Sequence, residues 1–191
     1  KTLPDREFRA GMAEVIKYGV IWDSSFFETL EKELDNVLAR TDVVTKIIHH
    51  CCVIKADVVS LDERERGIRA ILNFGHTFGH ALEAATGFAQ YLHGEAIAIG
   101  MCVASRLAFL LKMITDEEQQ RICRLIQAYN LPTSIPEEVS LETLLNAMSL
   151  DKKVLGGKMR FVLPEKIGSV TIVDGVETAM IKQAFEPVSV P

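Results

Sequence analysis

The segment Glu95–Lys112 is apolar on nearly every face, with Ile97, Ile99, Met101, Val103, Leu107, Phe109 and Leu111 spread around the helix rather than along one stripe. A helix that is hydrophobic all round has to be enclosed by other elements. The segment therefore predicts the central helix of a bundle. Its longest uncharged run, Ala96–Ser105, ends at Arg106 after ten residues, about half of the roughly 20 needed to cross a bilayer. The reading is a buried core helix and no membrane partner. With 48% hydrophobic residues among 191, the chain has enough apolar surface to build a core around that helix, and disorder is excluded.

Helical periodicity extends over most of the remaining chain. A first helix is predicted over Asp5–Ile21, with Phe8, Met12, Val15 and Ile16 on its apolar face. Asp23-Ser24 caps a short second one. A third runs from Thr41 or Asp42 to about Ser60 and carries Val44, Ile47, Ile48, Cys51 and Val58 in line. After the charged link 62–67, a fourth is predicted near Ala70–Thr86. Thr115-Asp116-Glu117-Glu118 reads as a capping box that opens a helix ending at Asn130, before Pro132. Ser140–Leu150 is a further helix. Beyond Asp151 the texture changes, and Arg160–Leu163 and Ser169–Val173 read as a hairpin within about 158–174. A last helix falls near Val176–Phe185, and Glu186–Pro191 reads as a frayed tail. The expected fold is mainly α, a single multi-helical domain over 1–191 with a small β hairpin near its C-terminal end.

The charge balance, 21 Lys+Arg against 26 Asp+Glu, lacks the basic surplus of a nucleic-acid binder. Four cysteines without paired spacing read as buried free thiols in a reducing compartment, which points to the cytoplasm. No signal peptide is visible. The chain opens at Lys1 directly into helix-like sequence and reads as a piece of something longer. No two glycines stand two apart, so GxGxxG is absent, and there is no P-loop. A nucleotide site, if one is needed, belongs elsewhere.

Chemistry concentrates in 73–83, Asn73-Phe74-Gly75-His76-Thr77-Phe78-Gly79-His80-Ala81-Leu82-Glu83. On one helix, Phe74, Phe78, Ala81, Leu82 and Ala85 face the core, while His76, His80 and Glu83 share the opposite side. Gly75 and Gly79 each cost a helix roughly 1 kcal/mol against Ala, which implies that something approaches the backbone closely. An HxxxH pair also occurs on ordinary surfaces. Of only five histidines, however, a third is His93, at the start of the core helix. Glu14 sits among small and apolar residues, either paired at i, i+3 with Lys17 on a solvated face or held as a ligand. One Glu with two His makes an N/O set that suits zinc and leaves a position open. Lys55 falls where the stripe of Cys51 and Val58 calls for an apolar residue, as a snorkelling stem or as a cation for an anionic ligand. Arg69 and Asn73, read as i, i+4 partners on the side of His76, suit a carboxylate or phosphate and hydroxyls. Lys152, Lys153 and Lys158 flank Gly156-Gly157, as a phosphate contact or as solvated loop lysines.

These segments together resemble the C-terminal domain of the 3-dehydroquinate synthase family. The resemblance is carried by 9–19, by Lys55 with 62–69, by 72–83, by His93-Gly94-Glu95 and by Asp151-Lys152-Lys153, in the family's order and without departure at any motif. It implies a two-domain enzyme whose N-terminal α/β half binds NAD⁺ and is absent from this chain. It further implies Zn²⁺, or a divalent relative such as Co²⁺, on Glu14, His76 and His93. His80 and Glu65 then form the catalytic group, and Lys17, Lys55, Arg69, Asn73 and Lys152 hold a small sugar-phosphate acid. The implied reaction converts 3-deoxy-D-arabino-heptulosonate 7-phosphate to 3-dehydroquinate and phosphate, in the route to aromatic amino acids. A homodimer, and inactivity of this half alone, are implied as well. The competing expectations are another zinc-dependent sugar-phosphate cyclase, whose substrate lacks the carboxylate, and a non-catalytic metal-stabilised helical module. The lysines and Arg69 near the ligands argue against both.

Overall fold

The computed structural model describes residues 2–63, 67–154 and 159–186. Nine α-helices are present among them: α1 Asp5–Ile21, α2 Ser24–Lys32, α3 Leu34–Leu38, α4 Val43–Leu61, α5 His76–Ala85, α6 His93–Leu110, α7 Asp116–Ala128, α8 Leu141–Val154 and α9 Thr178–Ala184. A 3-10 turn occupies Ile68–Asn73, and two antiparallel strands, β1 Arg160–Lys166 and β2 Ser169–Asp174, form the hairpin. The chain is mainly α with a small C-terminal hairpin, as its periodicity predicts.

Helix α6 is the centre. Gly94, Ala96–Ser105, Leu107 and Ala108 are all buried, and α1, α5, α7, α9 and β1 pack around it. Among the described residues it alone is long and apolar enough to cross a membrane, yet 72% of it is buried inside the fold. Its apolar surface is satisfied by other helices. Its N-terminus is clamped from α1, where the Arg6 guanidinium donates to both Glu95 carboxylate oxygens at 2.7 Å. Glu95 in turn accepts the Leu92 N–H at 2.9 Å, closing the first turn of the helix.

Two caps form where the residue types call for them. The Asp23 side chain accepts from Phe26 N–H at the start of α2, and Thr115 and Glu118 close a reciprocal capping box on α7. The short helix α3 has no counterpart in the sequence reading, because five residues are too few to show a period.

The predicted fourth helix is in fact two elements. Gly75, at φ +80°, breaks it after the 3-10 turn. In that conformation only glycine is free of strain. The glycines serve a close approach, as their cost implied, and what approaches is α6 itself. A Cβ on Gly79 would come 3.0 Å from the Ala96 carbonyl oxygen. A Cβ on Gly100 would collide with the Gly75 carbonyl oxygen and come 2.7 Å from Gly79 N. A Cβ on Gly94 would strike the Ala10 carbonyl, bringing α1 equally close. Helices α1 and α5 thus lie against α6 backbone to backbone.

The hairpin completes the enclosure. Phe161 of β1 stacks on Phe78 of α5, with ring centroids 5.3 Å apart. At the turn, Gly168 N–H donates to the Val20 carbonyl at 2.8 Å.

Because the Gly100 contacts are with backbone, which cannot swing aside, Gly100→Ala is expected to lower stability by about 1–3 kcal/mol. Urea unfolding of the two proteins measures this directly. Equal midpoints and slopes would show that the helices are not held at backbone contact.

Candidate metal centre

The approach of α5 to α6 brings three imidazoles together. His76 begins α5, His80 lies one turn along it, and His93 is the first residue of α6. Their ring centroids are 5.4 Å apart for His76–His80 and His76–His93, and 5.9 Å for His80–His93. One nitrogen from each lies within 4.8 Å of the others. Helix α1 adds Glu14, whose Oε1 is 3.8 Å from His76 Nε2.

Each ligand candidate is held by a second contact. His76 Nδ1 lies 3.1 Å from the Phe74 carbonyl oxygen, which accepts only from a protonated Nδ1, so the Nε2 lone pair faces Glu14. Burial, and next the Lys17 ammonium, push the His76 pKa down to about 4, so the ring is neutral and able to ligate at pH 7. His93 Nδ1 is 3.1 Å from Glu83 Oε1, which likewise directs His93 Nε2 into the cluster. Glu83 is largely shielded, with a side chain 12% exposed. A carboxylate that fixes the tautomer and orientation of a ligating imidazole is a recurrent partner in metal sites. Sequence reasoning placed Glu83 on the same helix face as His76 and His80 without assigning it a role, and the fold sets it against His93.

Lys17 resolves the alternatives left open for Glu14. The i, i+3 ion pair forms, with Nζ 2.6 Å from Glu14 Oε2, but Lys17 is buried rather than solvated. The pair ties up one carboxylate oxygen and leaves Oε1 buried without a hydrogen-bond partner among the described residues. An acceptor-only oxygen, buried beside an imidazole lone pair, is two electron-pair donors with no proton between them. A divalent cation satisfies both. Ligands at 2.0–2.2 Å around a tetrahedral zinc lie about 3.4 Å apart, so Glu14 and His76 need to close by only a few tenths of an ångström.

Two cavities meet at this cluster. One of about 320 Å³ is lined by Ala70, Asn73, His76, Thr77, His80 and Arg160. The other, about 750 Å³ between α5 and α8, is reached by Thr77, His80 and Glu83. His80, which is exposed, stands at their junction. The other sequence candidates are placed unevenly. Asn73 lines the first cavity, and Lys17 is bonded to Glu14. Lys55 is exposed on α4, so it interrupts no buried stripe. Arg69 and Asn73 lie in a 3-10 turn, where four residues do not return to one face. Their expected i, i+4 pairing is therefore corrected. Arg69 donates instead to the Glu63 carbonyl at 3.2 Å. Glu65 and Lys158 lie outside the described residues, as do residues 187–191 of the predicted tail, and of Lys152 and Lys153 only the helical backbone is described. Arg160 was missed: it opens an ordinary strand, and only the fold carries it to the histidines.

With this geometry in place, comparison with known proteins gives the family. A family model described as 3-dehydroquinate synthase C-terminal matches residues 11–154. The chain belongs to that family. The 3-dehydroquinate synthase of Acidithiobacillus ferrooxidans is 53% identical over 186 residues, which cover 97% of this chain and 51% of the relative. That of Shewanella frigidimarina is 49% identical over 186 residues, covering 97% and 52%. The chain thus spans about half the length of the curated relatives it matches. Among solved structures, 2-epi-5-epi-valiolone synthase from Streptomyces hygroscopicus, with NAD⁺ and Zn²⁺ bound, superposes at TM-score 0.86 with 25% identity, over 96% of this chain and 51% of that one. A 2-deoxy-scyllo-inosose synthase, complexed with carbaglucose-6-phosphate, NAD⁺ and Co²⁺, shares the fold at TM-score 0.83 and 24% identity, over 96% and 53%.

If Glu83 orients His93 for a metal, Glu83→Ala is expected to weaken Zn²⁺ binding by about 10–100-fold. Competition against a chromophoric chelator reads this out. An unchanged affinity in a folded variant would leave Glu83 without the role.

Proposed function

We propose that this chain is the metal- and substrate-binding half of a 3-dehydroquinate synthase. In this reading the whole enzyme converts 3-deoxy-D-arabino-heptulosonate 7-phosphate to 3-dehydroquinate and phosphate, with NAD⁺ held mainly by an N-terminal α/β domain. The observation that carries it is Glu14 Oε1, buried and unpartnered, facing the freed His76 Nε2 in a chain of this family. We assign Glu14, His76 and His93 as ligands of Zn²⁺ or a similar divalent ion, in a cytoplasmic enzyme that works as a homodimer.

Bound there, such an ion supplies Lewis acidity that favours an ionised substrate hydroxyl and a polarised ketone. The chain's own residues do the rest. Lys17 holds Glu14 in place through its 2.6 Å bond. His80 reaches both cavities and is the group free to move a substrate hydroxyl proton, a task suited to an imidazole near pH 7. Glu65 belongs to the same proton-handling group. Arg69, Lys55 and Lys152 bind the substrate's anionic ends, with Asn73 on its hydroxyls. Arg160, on the wall shared with His76 and His80, adds a cation for a carboxylate or phosphate. Two anionic groups buried together need such compensation.

Metal analysis of the full-length enzyme is expected to find about one Zn²⁺ per chain, lost in His76→Ala or His93→Ala. His80→Ala should keep the zinc and lose about 10²–10⁴-fold in turnover. Zinc lost from His80→Ala but kept by His76→Ala reverses the assignment. The 191-residue chain alone should show no turnover with NAD⁺, Zn²⁺ and substrate, and should regain it when joined to its N-terminal half. Turnover by the lone chain contradicts that dependence. Preference of the full enzyme for a sugar phosphate without a carboxylate points instead to a related cyclase.

A further inference from the structure

Nine residues along α6 from His93, the same helix presents a thiol, Cys102, to a different cavity. Cys102 on α6 and Cys123 on α7 are both buried free thiols, and they line the same cavity. Gln119, one turn before Cys123 and fully buried, donates its side-chain amide to Cys123 Sγ at 3.2 Å. Both cysteines line a cavity of about 350 Å³ whose wall includes the exposed residues Ser134, Glu137 and Glu186. Arg106, one turn beyond Cys102, lines it too, and its buried Nε has no hydrogen-bond partner among the described residues. The cavity therefore offers a donor to a small polar molecule and leads it to two sulfurs.

The two thiols are not equivalent. The neighbouring Cys123, and then burial, push the Cys102 thiol up. The neighbouring Cys102, and the amide that Gln119 donates, pull the Cys123 thiol down against its burial. Cys123, whose sulfur accepts from the Gln119 amide at 3.2 Å, is disposed to be the nucleophile and its neighbour to follow it. Cys51 and Cys52 offer a contrast within the chain. They are adjacent on α4, where i and i+1 side chains do not face each other.

We propose that Cys102 and Cys123 form a hydroperoxide-reactive dithiol that closes reversibly to a disulfide between α6 and α7. Cys123 attacks one peroxide oxygen as the thiolate. The O–O bond breaks, a sulfenic acid forms, and the departing hydroxide takes a proton and leaves as water. Cys102 then attacks the sulfenic sulfur, forming the S–S bond and breaking S–O, and a second water leaves. Two thiols lose one electron each, and hydrogen peroxide accepts both.

The test is to treat the full-length protein with hydrogen peroxide, block the remaining thiols with iodoacetamide after denaturation, and map the peptides. The expected result is a Cys102–Cys123 crosslink, with the loss of two hydrogens, that dithiothreitol reverses. Cys102→Ser should trap a dimedone-reactive sulfenic acid on Cys123, whereas Cys123→Ala should leave Cys102 unmodified at the same exposure. Gln119→Leu should slow crosslinking by about tenfold, through loss of the donor that favours the thiolate. Full alkylation of Cys102 and Cys123 while exposed Cys52 is oxidised would overturn the proposal.

Discussion

The backbone contact of α5 on α6 is the constraint on which the histidine cluster depends. His76 and His80 belong to one helix and His93 to the start of the other, so their separation is set by the distance between helix axes. With ordinary side chains between them, helices pack about 8–10 Å apart. Gly75, Gly79 and Gly100 remove the side chains from the contact and let carbonyl and amide groups meet instead. The same device at Gly94 brings in α1, which delivers Glu14. The local cost of glycine in a helix is offset by a site built from three elements rather than one.

Around that frame, the electrostatics are arranged to keep lone pairs free. Lys17 takes one oxygen of Glu14, the Phe74 carbonyl takes one nitrogen of His76, and Glu83 takes one nitrogen of His93. Each contact occupies the far side of a candidate ligand and leaves the near side without a proton. Buried donors and acceptors are ordinarily paired within a fold. An oxygen left over, beside a neutral imidazole, is the kind of exception that function explains. His80 differs from its neighbours in lying open to both cavities, which fits a group that exchanges protons with substrate.

Much of this was legible in the residues. An all-round apolar helix had to be central, Thr115 and Glu118 had to cap a helix, and the glycines of 75–79 had to admit a close neighbour. What periodicity could not show was the break at Gly75, because Phe74 and Phe78 keep helical spacing on either side of it. The i, i+4 pairing of Arg69 with Asn73 failed for the same reason: spacing alone does not distinguish a 3-10 turn from an α-helix. Lys55 looked anomalous on the stripe of Cys51 and Val58, but the fold buries Ile47, Ile54 and Val58 and leaves Lys55 exposed beside them. Arg160 and the role of Glu83 depend on contacts between residues distant in sequence, which no local pattern encodes. The ion pair of Glu14 with Lys17 was one of two readings of that spacing, on a solvated face, and the burial of Lys17 in the fold could not be read from it.

The central claim is that two imidazoles and one carboxylate hold the metal, with His80 outside its coordination shell. Anomalous diffraction at the zinc edge from crystals of the zinc-loaded full-length enzyme measures this directly. The account predicts a single peak within about 2.0–2.2 Å of Glu14 Oε1, His76 Nε2 and His93 Nε2, with His80 beyond bonding distance. A peak bonded to all three imidazoles, with Glu14 still paired only to Lys17, would contradict it.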